Sequence, residues 1–351
     1  MIEAIQDTPA YLGHNRYGTA FTDLDWKRQL QILLEVSGRQ HLLRDKTVGR
    51  ATKKARAEIS FQAFKTLHHA GLHIKNVLNF SQRHMQALAD NWREGALAAA
   101  TLQTRFSVMR WFAASTGKNG MIKDAVDYGI PAESIKRSYV TTIDKSWSAH
   151  DDVSFEDLIA QIYAKDPWVA MRLELQEAFG LRIQEATLMQ PLVSDGGAVL
   201  RLEHGTKGGR SRFVPIRTEK QRDVLNRAKA MARMSENGNL IPGGKKLAQA
   251  LARSYYVCGL FGITKSQLEI TPHGLRAAYA NDRYQELSGM PSAVRGTPAV
   301  YDPEKDRMAR EIVALELGHT RVSITGAYTG ARPKGRPRII RIEDEQLDLD
   351  E

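Results

Sequence analysis

"LGHTRVSITGAYTG", residues 317–330, holds a histidine, His319, nine positions ahead of a tyrosine, Tyr328. At ~100° per residue, nine steps along one straight helix put the two on opposite faces. For them to act together, the helix has to break between them. Gly318 can end one helix by taking the left-handed conformation that other residues avoid. Thr320 or Ser323 can then cap the next. The stretch reads as helix, stop, histidine, new helix, tyrosine.

The rest of the chain sets the context for that pair. Its 351 residues suffice for two domains with full cores. The composition, 42% hydrophobic and 26% charged, is that of a folded protein. There is no run of 18 apolar residues and no charged-then-apolar leader, so a soluble, cytoplasmic protein with no membrane partner is expected. The single cysteine, Cys258, excludes an internal disulfide and a multi-cysteine zinc site. The net charge of +10 is uneven: +8 over residues 1–148, +8 over 149–342 and −6 in the closing "EDEQLDLDE". Two basic bodies suggest a long polyanion, and nucleic acid is the first choice.

Residues 1–24 lack a period and read as an N-terminal arm. A helical bundle is expected over 25–145: "DWKRQLQILLEV" spaces Trp26, Leu30, Leu33 and Leu34 at helix intervals. "TKKARAEISFQAFKTLHHAG" opens on a capping threonine, Thr52, and stops on Gly71. Two further helical stretches make a four-helix bundle. Residues 138–152 read as a link. From 150 to 330 helices resume, at about 218–234, 244–260, 271–287 and 304–317, broken by "AVLRLEHGTKGGRSRFVPI", two alternating segments around a turn. The fold class is thus mainly α with a small β-sheet: an N-terminal helical bundle followed by an α+β domain. Residues 331–351 form a tail.

Single residues in the second half carry little alone. His273 and Arg276, three apart, share one helix face, as do Arg182 and Glu185 just after a glycine. Either pair is commonly a solvated surface or a structural ion pair, and Lys207 is by default a turn lysine. Their order is more telling. Arg182, then Lys207 on a hairpin, then His-x-x-Arg at 273–276, then Leu-Gly-His at 317–319 and Tyr328 nine later together resemble the tyrosine recombinase (phage integrase) family. The resemblance covers about 150–330 by motif and 25–117, as a core DNA-binding domain, by pattern.

That resemblance implies a site-specific DNA recombinase that cuts and rejoins strands through a 3′-phosphotyrosyl link, without metal or cofactor. Arg182 and Arg276 match the family's phosphate-binding arginines, whose planar forks suit bidentate contact. Lys207 matches the residue that protonates the leaving 5′-oxygen. His273 matches the general acid–base, His319 the second phosphate ligand and Tyr328 the nucleophile. Glu185 is expected to brace Arg182. The implied partners are double-stranded recombination sites, gathered as two duplexes on a tetramer. In the bundle, Lys53, Lys54, Arg56, Arg105 and Arg110 are the candidates for phosphate contacts.

The sequence departs from the family in two places. Arg276 and His319 stand 43 residues apart, wider than is usual, and the excess is the Pro- and Gly-rich loop 289–306. It holds Tyr301, a rival nucleophile without the Leu-Gly-His spacing. The tail carries "KGRPR", similar to a minor-groove hook or simply a basic linker; docking of 331–351 on a neighbouring protomer is the preferred reading. The insertion and tail favour the integrase of a mobile element. The alternatives are a chromosome or plasmid dimer resolvase of the same chemistry, and a non-catalytic DNA-binding factor, which has no need of Tyr328. A monomeric relaxing topoisomerase does not call for a docking tail.

Overall fold

The computed structural model describes residues 21–39, 47–206 and 209–331. The chain divides into two compact units, Met1–Arg137 and Ser138–Glu351.

In the first unit the apolar spacing does produce four long helices: α1 (Trp26–Ser37), α2 (Arg50–His69), α3 (Gln82–Glu94) and α4 (Ala99–Ser115), followed by the single turn α5 (Ala132–Ile135). Asp25 caps α1, its carboxylate accepting from the backbone N–H groups of Lys27 (2.8 Å) and Arg28 (3.2 Å). α2 starts earlier than its threonine suggests: Gly49 holds the cap position, and Thr52 already lies in the first turn. The buried faces meet around Leu33, Phe64, Phe80, Leu88 and Phe112, with the Phe64 and Phe112 rings edge-on at 5.4 Å. Gln29 is fully buried among them. It is tolerated there because its amide donates to Leu24 O and Lys75 O and accepts from Val77 N.

The second unit is built on α6 (Phe155–Lys165), α7 (Pro167–Phe179), α8 (Ile183–Leu188), α9 (Pro191–Ser194), β1 (Val199–Leu202), β2 (Arg212–Pro215), α10 (Glu219–Ala232), α11 (Leu247–Leu260), α12 (Pro272–Ser288), α13 (Pro303–Glu316) and α14 (Gly326–Thr329). α7 lies against α6, α8, α10 and α12, which explains why most of its residues are buried, Arg172 and Gln176 included. β1 and β2 pair antiparallel, with Leu200 opposite Val214 and Leu202 opposite Arg212. One core joins Phe179, Leu200, Val214, Leu225, Tyr284 and Val313. Another joins Trp147, Ile162, Leu173, Val257 and Leu275. Residues 138–152, read above as a link, pack onto this unit: the Trp147 indole is buried and donates to Thr271 O at 2.7 Å. No helix among the described residues is long and apolar enough to cross a membrane.

Candidate active site

The break at Gly318 governs the site. α13 ends at Glu316, and Gly318 turns left-handed at φ +68°. The freed carbonyls are then closed by His319 N–H to Ala314 O (2.8 Å) and Gly318 N–H to Leu315 O (2.9 Å). A side chain at Gly318 has no room, because a Cβ there would lie 2.7 Å from Arg212 Cδ. The chain resumes as a 3₁₀ turn, Val322–Thr325, and then α14 carries Tyr328. Neither Thr320 nor Ser323 supplies the expected cap: Arg321 holds that position without a side-chain bond. The second element is one helical turn rather than a full helix, and Tyr328 is 8% exposed within it.

The turn brings the two rings face to face, His319 and Tyr328 stacking at 5.7 Å with 12° between their planes. The His273 ring lies 5.7 Å from the same tyrosine ring, tilted by 44°. Arg276, one turn along α12 from His273, is wholly buried beneath. Its Nε donates to the Tyr328 hydroxyl at 3.1 Å, and its terminal nitrogens donate to Gly180 O and Leu317 O. A terminal nitrogen also lies 3.4 Å from His319 Nε2. A guanidinium can only donate, so that ring nitrogen accepts and the His319 proton belongs on Nδ1. Nδ1 is buried and has no protein partner among the described residues.

Arg182 stands where α7 has ended and α8 begins. Its guanidinium donates to Glu185 Oε1 at 2.5 Å and its backbone N–H to Oε2 at 2.8 Å. Glu185 is fully buried and also accepts from Arg212 at 2.7 Å, with Arg276 at 3.8 Å. Burial alone would raise this carboxyl, but Arg212, then Arg276 and Arg182, hold it below the usual range. Three guanidiniums around one carboxylate leave a net positive pocket beside a tyrosine oxygen. Its imprint is visible on both histidines. Desolvation, then Arg276 and Arg182, push His319 down to about 3. The same causes bring His273 to about 4, although its side chain opens to solvent. Both are neutral imidazoles at neutral pH.

A pH dependence follows. The folded protein refuses protons that the unfolded chain accepts below the ordinary histidine value of 6.5, so stability falls as pH drops from there toward about 3. Between pH 7 and 5 the melting temperature of His319→Gln should fall less than that of the parent. Equal slopes in the two proteins would show that the imidazole is not held neutral by the fold.

The expected residues Arg182, Glu185, His273, Arg276, His319 and Tyr328 thus share one pocket. Lys207 lies outside the described residues, as does the tail from 332 onward. Tyr301 precedes the N-cap of α13, so about 21 Å of helix, at 1.5 Å per residue, separates it from Gly318. Arg212 was missed. It occupies an inward position of β2 while its neighbour Phe213 points out, 53% exposed. That inversion of the alternating pattern was its only signal.

Among the bundle cations, Arg56 requires a correction as a DNA contact. It is 6% exposed, donates to Gly38 O at 2.9 Å and lies over the Trp111 ring at 4.6 Å, so it is a packing residue. Lys54 is exposed beside Glu58, while Lys53, Arg105 and Arg110 are half-buried, the last paired with Asp124.

Residues 139–282 match the integrase family and residues 40–122 the N-terminal domain of phage integrases. The fold is similar to that of a lambda integrase dimer bound to a COC′ core site, at TM-score 0.55 and 13% identity, covering 88% of this chain and 98% of that one. The XerH site-specific recombinase in a post-cleavage complex on a palindromic difH substrate gives 0.51 and 14%, covering 88% and 82%. The Tn1549 transposon integrase in complex with transposon right-end DNA gives 0.52 and 12%, covering 86% and 95%. Among curated proteins, none matches. Both halves therefore point to one class, enzymes that cut and rejoin DNA at defined sites. The chain belongs to the tyrosine recombinase, or phage integrase, family. The integrase match ends at 282, ahead of the insertion, so His319 and Tyr328 are tied to the site by geometry.

Proposed function

We propose that the chain cleaves and rejoins DNA through Tyr328 and serves as the integrase of a mobile element. The observation that carries this reading is the Arg276 Nε–Tyr328 hydroxyl contact of 3.1 Å inside a pocket with excess positive charge. The Tyr328 oxygen attacks the scissile phosphorus, a P–O bond to tyrosine forms, and the bond to the 5′-oxygen breaks. Neutral His273 takes the phenolic proton, and Lys207 gives one to the departing 5′-oxygen. Arg182, Arg276 and the His319 Nδ1–H meet the phosphoryl oxygens, where charge grows in the transition state. Arg276 also steadies negative charge on the phenolic oxygen as its proton leaves. Glu185 aligns the arginines. This set of fixed cations supplies the electrostatic part of catalysis without a divalent ion.

Several features support the wider reading. Lambda integrase has been seen as a tetramer bound to a Holliday junction, and we take the working form here to be a tetramer on two duplexes. The basic first unit, which ends at Arg137, holds DNA through Lys53, Lys54, Arg105 and Arg110. The segment 331–351 docks on a neighbouring protomer, its acidic end favouring basic protein over DNA. The work takes place in the cytoplasm. The match of the first unit to phage integrases favours a mobile element over a dimer resolvase.

The test is a nicked suicide substrate, bearing a site selected from a DNA pool, incubated in excess chelator. A covalent complex should form, and protease mapping should place the link at Tyr328. A strict magnesium requirement for cleavage, or a link elsewhere, overturns the mechanism. Joining of sites on two separate DNA molecules supports integration. Exclusive resolution of repeats within one plasmid reassigns the enzyme to dimer resolution.

A further inference from the structure

The insertion 289–306 and the segment 138–148 meet over the nucleophile. Asp144 is their junction. Its Oδ2 accepts from Arg295 Nε at 2.9 Å. Its Oδ1 accepts from Ser146 N–H (2.9 Å), Ser146 Oγ (2.6 Å) and Asn281 Nδ2 (3.3 Å). Arg295 also donates to Asp282 of α12 and reaches the hydroxyls of Ser146 (3.4 Å) and Ser148 (3.3 Å). Asn281 is fully buried on α12, and the same Nδ2 contacts Ala277 O (3.0 Å) and the backbone carbonyl of Tyr328 (3.4 Å). An unbroken polar path therefore runs from Arg295 through Asp144 and Asn281 to the main chain of Tyr328.

Two further contacts press on the same turn. Thr141 N–H donates to Gly326 O at 3.0 Å. Gly330, left-handed at φ +70°, is packed so closely that a Cβ there would lie 3.0 Å from Val294 Cγ1 and 3.2 Å from Thr141 O. The turn is thus held at both ends, by the 138–148 segment at Gly326 and by segment and insertion together at Gly330. Burial would raise the Asp144 carboxyl, but Ser146 and then Arg295 keep it below the usual range, so it stays charged and its bonds persist through neutral pH.

We infer that Arg295, Asp144 and Asn281 form a brace, completed by the insertion, that fixes the position of Tyr328 for in-line attack; Arg295 is a positioning residue of the recombinase. This rests on the assignment of Tyr328 as nucleophile. In-line attack tolerates little displacement. Displacing a reacting group by about 1 Å can cost on the order of 100-fold in rate, and a helical turn of four residues has too few bonds of its own to hold that tolerance. An insertion that merely decorated the surface would have no reason to place a half-buried ion pair one residue away from the side chain packed on Gly330.

The experiment uses the full chain in single-turnover cleavage of the suicide substrate, with DNA affinity and melting temperature measured alongside. Arg295→Gln should slow adduct formation roughly 10- to 100-fold while DNA affinity stays within about twofold. Arg295→Lys, which keeps a point charge for Asp144 but not the fork, should recover part of the rate. Asn281→Ser provides a second route should Arg295→Gln fold poorly. Its hydroxyl can still bond Ala277 O but no longer spans from Asp144 to Tyr328, and a similar slowing is expected. Combined, the two changes should slow cleavage little more than either alone, because they cut one path. The slowing should persist on a substrate with sulfur at the leaving 5′ position, which departs without a proton, since the fault lies in attack. Wild-type rate constants with only a smaller active fraction, multiplying effects in the double variant, or rescue by sulfur would each overturn the brace. Tyr328→Phe runs beside them: an adduct that survives in that variant refutes the nucleophile assignment itself, whatever Arg295 does.

Discussion

Tyr328→Phe should bind DNA as the parent does and form no covalent adduct, a loss on the order of 10⁴-fold or more. The change removes one oxygen. Arg276 loses its 3.1 Å contact with the hydroxyl but keeps its bonds to Gly180 O and Leu317 O, so the pocket stays assembled. The ring still stacks on His319. Binding should depend on phosphate contacts by the basic surface and not on a buried phenol. A denaturing gel of the suicide-substrate reaction reads the adduct, and a mobility shift reads binding. Tyr301→Phe is the control and should cleave normally. Adduct retained in the first variant and lost in the second would transfer the nucleophile to the insertion.

The largest effect on stability should come from Glu185→Ala. This carboxylate is fully buried and holds Arg182 at 2.5 Å and Arg212 at 2.7 Å, with Arg276 close behind. Removing one partner of a buried ion pair strands the others without compensation, at about 3–5 kcal/mol. For a unit of this size that lowers the melting temperature by roughly 10 °C. Activity should vanish as well, because the arginines would repel one another out of register. A Glu185→Met/Arg212→Met pair separates the two effects. Apolar replacement of a buried pair is often neutral for stability, so folding should recover in part, short of the parent because buried Arg276 still lacks its carboxylate, while cleavage does not. Calorimetry and the adduct assay on both variants decide it. A stable, inactive Glu185→Ala would mean that the carboxylate orients without holding the fold.

Much of this was legible in sequence because it is local. The break at Gly318 is signalled by a glycine closing an apolar helical run, and the order of Arg182, His273, Arg276, His319 and Tyr328 is fixed along the chain. What escaped depends on partners far apart. Arg56 reads as a surface cation until Gly38 O, 18 residues away, and Trp111 enclose it. Arg212 finds Glu185 across 27 residues, and Arg295 finds Asp144 across 151. No periodicity reports such pairings. Thr52 and Thr320 show the opposite error: each has capping chemistry, but the chain had already entered the helix at Arg50, and beyond Gly318 it turned at Arg321.

The Tyr328 segment, residues 319–329, lies between Gly318 and Gly330, each closed off by a side chain borrowed from elsewhere: Arg212 Cδ at 2.7 Å and Val294 Cγ1 at 3.0 Å from where a Cβ would stand. It is therefore not a portable cassette. A chimaera that exchanged only this stretch with a related recombinase would import the histidine and tyrosine without the two surfaces that mould their path. Functional grafts need three separated patches to travel together, around residues 212, 294 and 318–330. Drift at any one of them in a lineage should be answered at the other two.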